Sequence, residues 1–275
     1  MKGDFTMAVV RKSVTAMTSA EKSAFVNALR QFKTTSANGR NYNWYIDQHV
    51  TYFSRTSDNI SHAHQSPSFF PWHREYLRLL ESDLQTVTAN PNIFIPYWDW
   101  TGTASPFTAD LLGSITNGSV SSGNFSPSWG WAVYRSSIAT SFLQRRLGQS
   151  TSRPTASMVN TVMGYTVYDQ SPWNSTVSNS FRNRNEIELH NRVHNYVGGH
   201  MGTREAPNDP AFWLHHCNID RLWWLWQSSQ GIDTYQPRTG TTSGVIDDTE
   251  AMLPFGSGRT PSAVRDISVL NYSYV

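Results

Sequence analysis

Nine histidines stand at positions 49, 62, 64, 73, 190, 194, 200, 215 and 216, and most of them fall in two short regions far apart in sequence. A lone histidine on an apolar helix face is usually a hydrogen-bonded core residue. That reading weakens when several such faces recur. His190 and His194 are four residues apart, so a helix presents both imidazoles on one side, about 6 Å apart at the backbone and able to converge on one ion. His216, from the next helix, supplies a third donor. Its neighbour His215 points about 100° away around that helix and reads as a support for the ligands or a packing residue. His49, His64 and His73 form a second trio, one from a helix, one from a loop and one from the start of a long helix. His62 and His200 are left over and read as surface residues or supports for the ligands.

The donor set narrows the chemistry. Cys217 is the single cysteine, which excludes a disulfide framework and any thiolate-rich zinc or iron–sulfur site. All-imidazole coordination suits copper, zinc, iron or nickel and does not suit magnesium or calcium. The segment His190-Asn-Arg-Val-His194 lacks the glutamate that would serve as general base in a zinc protease helix. The Glu-x-x-His pairs of di-iron bundles are also missing. Two three-histidine sets therefore favour a pair of copper ions.

Helices must position these side chains. Thr18 and Glu21 make a capping box ahead of Phe25, Val26, Leu29 and Phe32 at helical spacing. Tyr45, His49, Tyr52 and Phe53 place a histidine on an aromatic face. A long amphipathic run begins near Pro67 to Pro71, continues through His73, Leu77, Leu80 and Leu84, and ends before Asn90-Pro91. A fourth helix carries Ile187, His190, His194 and Val197 on one face and stops at Gly198-Gly199. A fifth starts at Asp209-Pro210 and runs through Phe212, His216, Asp220 and Trp223. From Thr101 to about Asn124, and again from Ser228 to Arg259, composition predicts loop, with short strands at most in the second stretch. The reading is a mainly α chain: one domain over 1–275, with 1–6 a probable disordered extension.

A formal charge of +2, with no run of Lys or Arg, gives no footprint for nucleic acid or an acidic membrane. No stretch approaches the roughly 18 apolar residues that cross a bilayer, and Met1 to Ser19 lacks the apolar core of a signal peptide. The expectation is a soluble protein without its own export signal, either cytoplasmic or exported in complex with a partner.

At the residues that carry the chemistry the chain resembles the tyrosinase family of binuclear copper proteins, specifically the short bacterial tyrosinases of actinomycete type. The matching segments are Val10-Arg11-Lys12, His64-Gln-Ser-Pro-Ser-Phe-Phe-Pro-Trp-His73-Arg, Pro96-Tyr-Trp-Asp-Trp100, Phe181-Arg-Asn183, Leu189-His-Asn-Arg-Val-His194 with Gly198-Gly199, and Pro207-Asn-Asp-Pro-Ala-Phe-Trp-Leu-His-His216 through Asp220. The resemblance implies a single-domain fold with a four-helix bundle. It implies that His49, His64 and His73 hold the first copper and His190, His194 and His216 the second, bridged by dioxygen or peroxide in turnover. Monophenols would be hydroxylated at the ortho position, and o-diphenols oxidised to o-quinones. The base would be a water held by a glutamate and by Asn191. Glu186 is preferred to Glu188, because it lies one helical turn before His190 on the same side.

Further expectations come with the family. Asp220 orients a ligand imidazole or pairs with an arginine. Phe212 stacks over the site. In the loop after Gly198-Gly199, where a small residue would be more usual in relatives, this chain departs with Arg204, which with Asn195 is expected to attract substrates bearing a carboxylate. Where fungal and plant relatives carry a cysteine cross-linked to a ligand histidine, this chain has His62, so no thioether can form. Cys217 reads as a packed thiol. Tyr272-Ser-Tyr274 resembles the family's closing tyrosine motif, with Arg11 against an aromatic ring. No C-terminal shielding domain is expected, and a copper-delivering caddie protein is a possible partner. The alternatives are o-aminophenol oxidase, catechol oxidase without monophenol hydroxylation and, more remotely, an oxygen carrier of the haemocyanin kind.

Overall fold

In the computed structural model of the chain, which describes residues 9–116, 118–239 and 244–275, β1 (Val9–Arg11) leads into α1 (Ser19–Thr34). The expected extension over residues 1–6 lies outside the described residues. α1 opens on the capping box read from the sequence. The Glu21 amide donates to Thr18 Oγ1 at 3.2 Å and the Thr18 amide donates back to Glu21 Oε2 at 2.8 Å, which satisfies two otherwise orphaned amides. Its Phe25, Val26, Leu29 and Phe32 are buried.

α2 (Tyr42–Tyr52) is capped by Asn41, whose Oδ1 accepts from the Trp44 amide at 3.0 Å, and carries His49 in its last turn. α3 (Phe69–Thr88) is buried on every side from Phe69 to Leu77 and ends at Ala89, whose left-handed φ of 50° stops the helix before Asn90-Pro91. A helix buried on every side over that span lies in the centre, and α3 packs on both α1 and the later α7, with its buried charges such as Arg74 and Asp83 paired.

β2 (Ser114–Thr116) and β3 (Ser119–Ser122) pair antiparallel, and α4 (Ala156–Met163) follows. α5 (Phe181–Arg184), a π-helical turn Asn185–His190 and α6 (Asn191–Val197) form one continuous rod. α7 (Ala211–Gln230) and α8 (Pro261–Val264) precede β4 (Tyr272–Tyr274), which pairs in parallel with β1 so that Val9 faces Tyr272 and Arg11 faces Tyr274. The outcome is the expected mainly α fold, in which α2, α3, the α5–α6 rod and α7 make the bundle. No helix among the described residues is long and apolar enough to cross a membrane.

Three local readings are corrected. Ile187 does not share a face with His190; it is exposed. The i→i+5 turn at Asn185–His190 adds a residue to the turn and rotates Ile187 outward. The stretch from Thr101 to Asn124 is not plain loop: besides β2 and β3 it buries Leu111, Leu112 and Val120. It also accepts a hydrogen bond from Arg145 at the Leu112 carbonyl, 2.7 Å away. The N-cap of α7 is Pro210 and not Asp209, although Asp209 Oδ1 still accepts from the Ala211 amide at 2.9 Å.

Candidate metal centre

α2, the loop before α3, and the first turn of α3 bring His49, His64 and His73 together. The α5–α6 rod and α7 bring His190, His194, His215 and His216 together. Within each group the candidate ligand nitrogens all lie within 4.8 Å of one another. The groups adjoin: His73 stacks on His216 with centroids 4.1 Å apart and planes 16° apart, and His64 lies 5.8 Å from His190. The meeting of α3 and α7 produces that stack, α3 delivering His73 to one side of a shared centre and α7 delivering His216 to the other.

Hydrogen bonds turn the rings. His49 Nδ1 donates to the Arg204 carbonyl at 2.7 Å, His73 Nδ1 to Phe69 at 2.8 Å and His194 Nδ1 to Met201 at 2.6 Å. His190 Nδ1 donates to Asn191 Oδ1 at 2.9 Å. A proton fixed on Nδ1 leaves Nε2 as the free lone pair. His49 Nε2 and His73 Nε2 are buried without any partner, an arrangement that is costly unless something binds there. His216 Nε2 lies 3.3 Å from His190 Nε2 and 3.4 Å from His194 Nε2. Donors placed tetrahedrally at about 2 Å from a first-row metal ion would be separated by roughly this much. Burial pushes every one of these imidazoles towards the neutral form, to about 3 for His49 and about 4 for His194. The trios thus present neutral nitrogen and no carboxylate, which fits copper and not a hard cation.

His215 lies beside the second trio. Despite the 100° offset, His190 and His194 both pack against it as well as against His216. His215 stacks on His190 at 5.2 Å and 20°, with both ring nitrogens buried and unpartnered. His62 is also no surface residue. It is buried beside Tyr52, with Nε2 at 3.2 Å from Asp58 Oδ2. His200 is buried too, where the Gln144 amide donates to its Nδ1 at 3.0 Å and its Nε2 faces Ser136 Oγ at 2.9 Å.

A cavity of about 520 Å³ opens above both trios, lined by His49, His64, His190 and His194 together with Glu186, Asn191 and Asn195. The two glutamates separate clearly. Glu186 is buried, accepting from the Gln65 amide at 2.6 Å and from Arg182 at 2.9 Å. Burial raises its pKa against the opposing pull of Arg182. Glu188 lies outside the cavity lining, in a half-buried pair with Arg184 at 2.6 Å. Gln65 itself holds a left-handed φ of 54°, a strained conformation for this residue type that aims a backbone amide at Glu186.

Other expected residues take different places. Phe212 is fully buried, 4.1 Å from His216 and 4.9 Å from His49 by ring centroid, and does not line the cavity. It props the ligand rings from beneath. Asp220 touches no imidazole. It takes Arg74 Nε at 2.5 Å, Arg11 at 3.3 Å, Tyr272 at 2.6 Å and Tyr274 at 2.5 Å, the arginine pairing of the two roles expected. Arg11 also lies 3.7 Å over the Tyr272 ring. Cys217 is a packed thiol, donating to the Ile95 carbonyl at 3.1 Å and pushed up to about 12 by burial. The Arg204 guanidinium sits 5.8 Å over the Phe53 ring and is not part of the lining, whereas Arg55 is. Sequence reasoning missed Arg55 and the Gln65 amide, since an isolated loop arginine and a backbone N–H leave no pattern to read.

Residues 39–229 match the family model described as the common central domain of tyrosinase. The chain is 40% identical to a tyrosinase of Streptomyces antibioticus over 271 residues, covering 94% of this chain and 96% of that one. It is 33% identical to grixazone synthase of Streptomyces griseus over 301 residues, covering 94% and 97%. Among solved structures it superposes on a polyphenol oxidase variant from Thermothelomyces thermophila with a TM-score of 0.67 at 19% identity, over 98% of this chain and 89% of the other.

Proposed function

This chain belongs to the tyrosinase family and is a copper-dependent oxidoreductase that oxidises phenols with dioxygen, and on that footing we propose that it hydroxylates monophenols at the ortho position and oxidises the resulting o-diphenols to o-quinones. The observation that carries the reading is the meeting of two neutral imidazole trios beneath a cavity with one buried carboxylate at its side. In this proposal His49, His64 and His73 hold one copper and His190, His194 and His216 the other, within one domain. When bound, the two coppers supply the electron pair that dioxygen reduction requires.

The protein's own part is proton handling and placement. A phenol keeps its proton near neutral pH, since its unperturbed pKa is near 10. Glu186, with its pKa raised by burial, is suited to draw that proton through a water. Asn191 lines the cavity with its Oδ1 engaged by His190, which leaves its amide N–H group to hold the same water. The Arg182 contact and the Gln65 amide fix the carboxylate so that it does not swing into either metal position. Asn195 borders the entering ring. A helper protein that delivers copper would meet the cavity where exposed Phe53, Ser54 and Gly202 form its mouth.

Oxygen uptake measured side by side with tyrosine, catechol and o-aminophenol tests the reading. Turnover of tyrosine is the expected result. Activity confined to o-aminophenol or to catechol would replace it with a narrower oxidase, and reversible oxygen binding without product would replace it with a carrier. Glu186→Gln is expected to lower kcat/KM for tyrosine about 100-fold at unchanged copper content, whereas Glu188→Gln should leave it within about twofold, since its partner is Arg184 at the surface. Equal effects of the two substitutions would remove Glu186 from the mechanism.

A further inference from the structure

Among the described residues the cavity over the trios carries one unpaired charge. Its only carboxylate, Glu186, is matched by Arg182 at 2.9 Å. Its imidazoles are neutral, and most of the remaining lining is uncharged Ser, Gln, Asn and Thr. Arg55 shares a wall with Phe53 and Ser54, and no carboxylate among the described residues forms an ion pair with it.

The side chain is exposed at the rim of the cavity, where it has a hydrogen-bond partner. Arg55 donates from one terminal nitrogen to Asn59 Oδ1 at 3.1 Å. Beneath the other passes the backbone of Gly244, at φ +90°, where a Cβ would come within 2.7 Å of the guanidinium and 3.3 Å of the Asn59 carbonyl. That backbone is itself pinned to the cavity wall, because the Ser61 amide donates to the Gly244 carbonyl at 3.0 Å and Ser61 lines the cavity. The φ of Gly244 itself favours glycine, and a Cβ there would also push the end of the arginine side chain aside.

We propose that Arg55 is the anion receptor of this cavity and selects phenols and o-aminophenols that carry a carboxylate over neutral or amine-bearing ones. The planar guanidinium can meet a carboxylate with two parallel N–H donors. Phe53, 4.9 Å from His64 by ring centroid, separates that receptor from the reacting end, which suits a ring that spans from the metal side to the rim. Arg204, on Phe53 and outside the lining, adds to the local field without making the contact. This inference rests on the phenol-oxidising reading of the site and names its substrate class.

The test compares kcat/KM of copper-loaded protein for 3,4-dihydroxybenzoate, 4-methylcatechol and dopamine. Arg55→Ala is expected to lower the benzoate-to-methylcatechol ratio about tenfold, and Arg55→Glu to lower it further while raising the dopamine-to-methylcatechol ratio. Arg55→Lys should retain part of the preference, and Arg204→Ala should change the ratio about twofold or less. A parallel calorimetric titration with benzoate, which is not oxidised, should show affinity falling about tenfold in Arg55→Glu. Unchanged ratios, or an equal fall for all three substrates, overturn the proposal. If the parent protein oxidises no phenol at all, the proposed function fails instead, and the benzoate affinities still decide whether Arg55 receives the anion.

Discussion

Metal-free protein is expected to unfold between about pH 6.5 and pH 5, well above the range in which carboxylates titrate. Seven imidazoles, of His49, His64, His73, His190, His194, His215 and His216, are buried and held neutral, with every folded-state pKa lowered by burial. In the unfolded chain each titrates near 6.5. A base whose pKa is lower in the folded state binds fewer protons there, so stability rises with pH across the gap. Their contribution is complete above about pH 6.5 and is lost as pH falls towards the folded values, about 4 for His194 and about 3 for His49.

Below pH 6.5 the unfolded chain takes up protons that the folded chain resists at every one of these seven positions, so their effects act in the same direction. A typical domain has only about 5–15 kcal/mol to lose. Copper, binding the folded state through the same nitrogens, should hold the protein folded below the pH at which the metal-free form fails. Tryptophan fluorescence followed across pH with and without copper reads this directly, with eleven tryptophans as reporters. Metal-free protein that stays folded to pH 4.5, or identical transitions for both forms, would contradict it.

Removing the Asp220 carboxylate should cost about 3–5 kcal/mol, the usual effect of stripping one partner from a buried ion pair. Arg11 would keep Glu81 at 3.0 Å, but Arg74 would be left with neutral acceptors: Gln227 Oε1 and the carbonyls of Val264 and Arg265. The position of the pair makes the loss matter to the site. Arg74 directly follows His73 on α3, and Asp220 lies one turn beyond His216 on α7, so their 2.5 Å contact locks the two helices in the register that stacks those imidazoles.

Asp220→Ala is therefore expected to lower Tm by about 10 °C or more and to weaken copper retention. Asp220→Asn should give a similar fall, because the missing element is charge and not only hydrogen bonding. The pKa of Asp220 is lowered, its burial outweighed chiefly by Arg74 and Arg11. Its contribution to stability is present above the usual carboxylate range and is lost as pH falls below about 4. A Tm within about 2 °C of the parent would show that the pair does not hold the register.

Much of this site was legible before any coordinates. Histidines at i and i+4 on a helix must share a face, and that geometry alone predicts the pairing of His190 with His194. The same arithmetic placed Glu186 with His190 and Glu188 away from it, and the two glutamates do part in that way. Where it failed, the helix had stopped being an α-helix: the π-helical turn before His190 moved Ile187 out into solvent. The helical angle of His215 is a partial guide for a related reason. An angle on one helix says where a side chain points but not which neighbouring rod comes to meet it.

Asp220 shows another limit. Its spacing from His216 made an imidazole contact plausible, but only the folded chain reveals that Arg11, from the first strand, and Arg74, from α3, converge on it. Arg55 and Gly244 were beyond reach altogether. They are 189 positions apart, and their contact comes from the short bridge between Ser61 and Val245, which no local pattern announces.

The central claim is that two imidazole trios hold two copper ions close enough to act on one oxygen molecule. Copper titration of the metal-free protein at neutral pH, followed by electron paramagnetic resonance of the oxidised form, measures both number and proximity. Two coppers per chain with their Cu(II) signal suppressed by mutual coupling is the predicted result, and His73→Ala or His216→Ala should each bind one copper and restore the signal of an isolated ion. Fewer than two coppers in the parent, or two coppers with independent signals, would contradict it.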